Sequence, residues 1–246
     1  MIPSIPISFL LFTSTKGHYD FKDIYLTTLS HYDRQVPLSQ FAVKVAHIKV
    51  TPGEEGIAKM MEDNLVARGF KVLTTTAAWT RGANHGQEYM KDVIKVSKEP
   101  SIHRCPHVMW VEDDTILLCH KDPLDRVLSR MTHAIDSSPD HLSARFIWRS
   151  AYEGGVPSLQ TNADSFYSPF TDFQPALWRA RDFYLAAKTM EDNWDRVHGM
   201  HCEALWRAVT DPLSRSTLKH LVWLPDYAEP IHLGCPEYPD LKQRYC

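Results

Sequence analysis

Val108-Met109-Trp110-Val111-Glu112-Asp113-Asp114-Thr115-Ile116-Leu117-Leu118 sets three consecutive acids between two apolar runs. A short apolar run reads as a buried strand, and acids at its C-terminal end are delivered to the rim of a sheet, where open α/β folds bind their ligands. Alternate residues of a strand share a face, so Glu112 and Asp114 are expected on one side and Asp113 on the other. Carboxylates so placed suit a hard divalent cation that also bridges phosphate oxygens. The bland reading of the same residues is a solvated turn, or a cap for the segment that follows. The apolar strand before the acids, and three strand candidates upstream of it, weigh against the bland reading.

Working outward, Ile7 to Thr13 reads as a first strand, Ser14-Thr15-Lys16-Gly17 as a polar turn and Phe21 to Tyr32 as a helix. Val43 to Val50 is a second strand. Glu54 to Arg68 carries Ile57, Met60, Met61 and Leu65 at helical spacing and stops at Gly69, where a helix end favours glycine. Phe70 to Thr76 supplies a third strand, and Gln87 to Val96 another helix. This alternation predicts an α/β fold with a mostly parallel sheet flanked by helices.

Beyond residue 118 the spacing predicts helices over Leu124 to Ile135, Ala180 to Glu191 and His201 to Val209, with strands at Ser143 to Trp148 and Leu221 to Leu224. Ala151 to Thr171, rich in glycine, proline and polar residues, reads as a loop or lid. One domain over 1–246 is expected, with 1–118 as a nucleotide half and 119–246 as an acceptor half.

The formal net charge of −3 and the lack of a polybasic block give no indication of electrostatic capture of nucleic acid or an anionic membrane, so the expected partner is a small molecule. Five cysteines without a CxxC pair argue against a disulfide framework and a structural zinc site. A reducing, cytoplasmic setting is expected. The apolar stretch Ile2 to Phe12 contains Pro3 and Pro6, lacks a basic flank and falls short of the about 20 residues that span a bilayer, so it reads as a core strand and no transmembrane segment is expected.

Val-Met-Trp-Val-Glu-Asp-Asp over 108–114 resembles the Asp-x-Asp or Glu-Asp-Asp motif of nucleotide-sugar glycosyltransferases of the GT-A fold, and the order of parts follows that family over most of the chain. The resemblance implies a GT-A-like, Rossmann-related sheet. It implies that Thr13, Ser14 and Thr15 contact the nucleotide, and that the loop Thr80 to Gly86 lines the same site. Within that loop Arg81 is a suitable diphosphate partner, because a guanidinium binds phosphate through two parallel hydrogen bonds. It also implies Asp114 as the direct metal ligand, with Glu112 and Asp113 reaching the metal or the nucleotide sugar, and His232 as a late metal ligand.

Asp172 to Arg179 resembles the family-2-like stretch that passes under the acceptor site into a helix, and His201 to Arg207 resembles the acidic pair at a helix start. Glu203 matches the acid, whereas Cys202 departs from the usual first one. Glu203 is therefore the candidate general base and Asp172 the reserve, since inverting transfer needs a group to take the acceptor proton. A structural reading of Glu203 is a first-turn glutamate pairing with Arg207. Trp110 and Trp206 read as core, while Trp178 or Trp194 are candidates to line a sugar groove.

These residues point to a metal-dependent glycosyltransferase using Mn²⁺ in preference to Mg²⁺, a UDP- or GDP-linked donor and a glycan acceptor, with inversion favoured. A sugar-phosphate nucleotidyltransferase is the other enzyme reading, although Ser14-Thr15-Lys16-Gly17-His18 is poor in glycine for its phosphate loop. A non-catalytic nucleotide- or glycan-binding module is the third.

Overall fold

The computed structural model describes residues 5–15, 21–35, 38–77, 83–147, 159–160, 165–168, 175–197, 200, 202–213, 220–223 and 228–233. In chain order the strands are β1 (Ile5–Ser14), β2 (Phe41–Val50), β3 (Lys71–Thr76), β4 (His107–Glu112), β5 (Thr115–Cys119), β6 (Ser143–Phe146), β7 (Leu159–Gln160), β8 (Ser165–Ser168), β9 (Ala176–Arg179), β10 (His220–Trp223) and β11 (Ala228–His232). The helices are α1 (Phe21–Gln35), α2 (Glu55–Ala67), α3 (Ala83–Ser97), α4 (Leu124–Asp136), α5 (Ala180–Asp192), the single turn α6 (Trp194–Val197) and α7 (Cys202–Thr210).

Nine of the described strands form one sheet in the order β3-β2-β1-β4-β9-β6-β10-β8-β7, and β11 pairs with β5 in a second, two-stranded sheet. β1 is parallel to both β2 and β4, β2 to β3, and β6 to β10. β9 runs antiparallel to β4 and to β6, and β8 runs antiparallel to β10 and to β7. All strands of the large sheet except β9 and β8 therefore point the same way, which is the mostly parallel α/β sheet that the alternating pattern predicts.

β1 shows why the centre is parallel. Its residues from Ile7 to Thr13 are buried on both faces, as expected of a strand covered by helices above and below. Ile7, Phe9 and Leu11 pack with Tyr25 and Leu29 of α1, Met61 and Leu65 of α2, and Val127 and Met131 of α4. On the opposite face Leu10 and Phe12 pack with Met90 and Val93 of α3, Phe183 and Met190 of α5, and Leu205 and Trp206 of α7.

On α2, Ala58, Met61 and Leu65 turn inward, whereas Ile57 and Met60 lie one position around the helix and stay about two-fifths exposed, at 42% and 39%. The structure corrects two expectations. Ala151 to Thr171 is not purely a loop or lid, because β7 and β8 within it extend the sheet beyond β10. Trp178 does not line a groove: it is 1% exposed and meets Trp206 edge-on, with ring centroids 5.5 Å apart.

Gly69 ends α2 as expected. Its φ of 78° lies in the left-handed region that disfavours side chains, and its N–H donates to the Val66 carbonyl while Phe70 N–H reaches Leu65. No helix of the described residues is long and apolar enough to cross a membrane.

Candidate functional site

The chain steps from β1 out to β2 and β3, then returns to the other side of β1 as β4. A sheet whose order reverses in this way leaves a crevice outside the carboxyl ends of the two strands at the reversal, here β1 and β4. Thr13, at the end of β1, donates a short hydrogen bond from its hydroxyl to Asp113 Oδ2 across that point. The backbone continues the contact, since Asp113 N–H donates to the Phe12 carbonyl at 3.1 Å.

The three acids diverge from one another. Glu112 ends β4 on the α3 side, where Oε1 accepts from the Tyr89 hydroxyl at 2.9 Å; that same hydroxyl accepts from the Trp110 indole N–H at 2.9 Å. Asp113 points to the other face, toward Thr13. Asp114 stands on the turn into β5 and accepts from the Thr115 hydroxyl at 3.2 Å. Burial pushes the Asp113 carboxyl well above the usual carboxylate range, and the neighbouring charges of Asp114 and Glu112 push the same way, against the hydrogen bonds from Thr13 and Ser14.

The turn is anchored from two sides. Tyr32 of α1, buried, donates its hydroxyl to the Thr115 carbonyl at 3.1 Å. From β11, Leu233 N–H donates to the Asp114 carbonyl at 2.7 Å, and His232 stands in register with Thr115. The backbone of His232 thus lies beside the acid turn, more than a hundred residues away in sequence, while its side chain is outside the described part.

Thr15 closes the neighbouring corner: its N–H donates to the Lys49 carbonyl at 2.9 Å, its hydroxyl donates to Glu54 Oε2 at 2.7 Å, and the same oxygen accepts from Thr51 N–H at 2.9 Å. Thr13, Ser14, Thr15, Glu112, Asp113 and Asp114 therefore share one sheet edge. Arg81 and Asp172 lie outside the described residues. Glu203 sits in the first turn of α7 with only its backbone described.

A buried polar cluster lies on the α3 side of the same edge, and nothing in the Asp-x-Asp resemblance points to it. Asp92 of α3 accepts from the Thr75 hydroxyl at 3.0 Å and stands 3.4 Å from Lys49 Nζ; His47 Nε2 is 3.1 Å from the Thr75 oxygen. The signal was present in Val45-His47-Lys49, an apolar face of β2 that turns polar toward its end. Tyr89 and Asp92, three apart on α3, share the face that reaches the sheet.

Burial lowers the His47 pKa to about 4, opposed by Asp92 and reinforced by Lys95 and Lys49. The ring is thus neutral in the folded protein, and the unfolded chain binds its proton first, near the ordinary 6.5. Stability is held above that value and is lost as pH falls through the window from about 6.5 to about 4, by at most about 3 kcal/mol. Urea unfolding at pH 7 and pH 4.5 measures this, and His47→Gln should flatten the difference; an unchanged slope would refute it.

No protein-family model matches the chain, and no curated protein matches it. Solved structures do. GalNAc-T7, solved with UDP, GalNAc and Mn²⁺, superposes at a TM-score of 0.60 with 8% identity, over 94% of this chain and 44% of that one. The fold is GT-A-like. TarS 1-349 of S. aureus follows at 0.50 with 12% identity, over 88% of this chain and 60% of that one. A Bacillus anthracis protein designated a glucose-1-phosphate thymidylyltransferase, in complex with a sucrose, matches at 0.54 with 9% identity, over 97% of this chain and 93% of that one. The chain thus spans less than two thirds of GalNAc-T7 and of TarS 1-349 and nearly all of the Bacillus anthracis protein. In this GT-A-like frame the Thr13–Asp113 contact occupies the switch point of the sheet.

Among the described residues no three His, Cys, Asp or Glu side chains converge as a metal cage. A hard cation held by one or two carboxylates, with substrate phosphates and water completing the shell, needs no such cage. Asp113, pushed toward its protonated form chiefly by burial and further by the charges of Asp114 and Glu112, lies between those two acids in the chain.

Proposed function

We propose that this protein is a metal-dependent glycosyltransferase that moves a sugar from a nucleoside diphosphate to an acceptor hydroxyl. The observation that carries the reading is the acid turn at the β1/β4 switch point, tied to Thr13 on one side and to the strand of His232 on the other. Asp114 and His232 would hold Mn²⁺ or, less well, Mg²⁺, with Glu112 and Asp113 beside them. Such an ion supplies charge neutralisation for a departing diphosphate.

The chain's own residues do the rest. Thr13, Ser14 and Thr15 line the donor edge, and Arg81 binds the diphosphate. Glu203, at the start of α7, takes the proton from the acceptor hydroxyl, with Asp172 as a hydrogen-bonding partner or reserve base; a base on the acceptor side favours inversion. The donor is UDP- or GDP-linked and the acceptor a glycan. Residues 1–118 form the donor half and 119–246 the acceptor half of one domain, and the enzyme works in the cytoplasm.

One observation favours a second reading. The thymidylyltransferase matches along nearly the whole of both chains, so sugar-phosphate nucleotidyl transfer uses the same frame at the same length. The two reactions release different products. Thermal-shift screening of nucleoside diphosphates and nucleotide sugars, with and without Mn²⁺, is expected to show a metal-dependent rise in melting temperature with UDP or GDP. Incubation with donor and glycan should then release nucleoside diphosphate; release of pyrophosphate from a nucleoside triphosphate and a sugar phosphate would establish the second reading.

A further inference from the structure

Tyr89 of α3 bridges two side chains of one strand. Trp110 and Glu112 are two apart on β4 and share a face, so a single phenol reaches both. The indole N–H can only donate, and it donates to the Tyr89 oxygen at 2.9 Å; the phenol proton goes to Glu112 Oε1, also at 2.9 Å. The relay therefore runs one way, from indole to phenol to carboxylate, and presents Glu112 as an acceptor at the carboxyl end of β4, in register with Phe12. A glutamate at a strand end turns through several staggered rotamers unless a partner holds it, and holding it costs rotamer entropy that the relay has already met.

The holder is itself rigid. The Tyr89 ring meets Phe12 edge-on with centroids 5.4 Å apart and lies 6.0 Å from the Trp110 ring. Trp110, 4% exposed, is fixed in turn by edge contacts with Phe183 of α5 at 5.8 Å and Trp206 of α7 at 5.5 Å. Met90 and Val93, beside Tyr89 on α3, are fully buried and keep the helix from rolling. We infer that Tyr89 is a positioning residue: its hydroxyl fixes the Glu112 carboxylate in the orientation in which that group helps to hold the divalent cation at the acid turn. Partners that orient a metal-binding group from behind set metal affinity nearly as strongly as the ligands themselves.

This inference rests on the metal-dependent reading above. The test is isothermal titration of UDP and GDP over a series of Mn²⁺ concentrations, which gives the apparent Mn²⁺ constant of the complex, for wild type, Tyr89→Phe, Glu112→Ala and the double variant. Tyr89→Phe keeps the ring and removes one oxygen; it should weaken the apparent Mn²⁺ constant by about 10- to 100-fold. Glu112→Ala should weaken it at least as far, and the double variant no further than Glu112→Ala alone, because a partner that acts through Glu112 then has nothing left to act on. The phenol also satisfies the buried indole N–H, so Tyr89→Phe should melt lower whatever its role, and the Mn²⁺ constant is what separates positioning from packing. If Tyr89→Phe does not fold, Trp110→Phe, which leaves the phenol but removes the donor that aims it, goes through the same cycle and should show the same non-additivity. An unchanged Mn²⁺ constant, or losses that multiply in the double variant, overturns the positioning role while the metal-dependent reading stands; a wild type whose nucleotide affinity is indifferent to Mn²⁺ removes both.

Discussion

Asp114→Asn is expected to lower metal-supported transfer by about 10²- to 10³-fold, the scale on which loss of one preorganised electrostatic partner acts at a reacting phosphate or oxyanion. The fold should survive. Asp114 is half-buried on a turn, and its carboxylate accepts from the Thr115 hydroxyl at 3.2 Å, a bond that an amide oxygen also accepts. The backbone bonds that fix the turn, from Leu233 to the Asp114 carbonyl and from Tyr32 to the Thr115 carbonyl, are untouched. Stability should change by no more than about 0.5 kcal/mol, as at an ordinary surface position. Removing the charge also relieves its repulsion of Asp113, which acts in the stabilising direction. Steady-state kinetics across a Mn²⁺ titration, beside a melting curve, separates the two effects; full turnover in the variant would end the metal-site assignment.

The second large effect concerns Arg179, where β9 passes into α5. Its guanidinium donates to the carbonyls of Ile135, Ser138, Pro139 and His141 and to Asp182, and it stands 3.6 Å from Asp136. The last turn of a helix leaves carbonyls without intrahelical partners and carries partial negative charge, so one planar cation here satisfies the end of α4 and fixes the loop after it. Arg179→Met should cost about 3 kcal/mol, because several polar groups lose a charged donor at once. For a chain of this size that corresponds to a fall in melting temperature of about 6–12 °C. Arg179→Lys should recover less than half, since an ammonium cannot reproduce the fork. A melting temperature within 2 °C of wild type for Arg179→Met would refute the clamp.

The sheet was legible because strand and helix periods differ. Val108 to Val111 read as a buried strand bounded by acids, and in the structure those acids emerge at its end, where Thr13 meets them. His232 was readable as a candidate solely through resemblance; its backbone position beside Thr115 depends on β11 pairing with β5, a long-range choice that no local pattern encodes. The helical spacing of Ile57, Met60, Met61 and Leu65 indicates α2 but not its inward face, because apolar residues fill two adjacent stripes and only packing decides between them. β7 and β8 were hidden because two- and four-residue strands carry too little periodicity to stand out among polar residues and turns. Lys49 and Asp92 drew no notice because a lysine in a strand and an aspartate in a helix are ordinary until the fold buries them against each other.

The placement of β9 has a consequence for biosynthesis. It is the strand that joins β4 to β6, and its register matches His107 with Arg179. Until Arg179 has left the ribosome, the growing chain must carry β4 with one flank unpaired, exposing Val108 and Trp110 on an open ladder that invites association with other chains. Closing that gap is a long-range step with a correspondingly slow loop search. Completion of the central sheet is therefore timed by translation of the second half, and a chain cut short before β9 would be left sticky rather than folded.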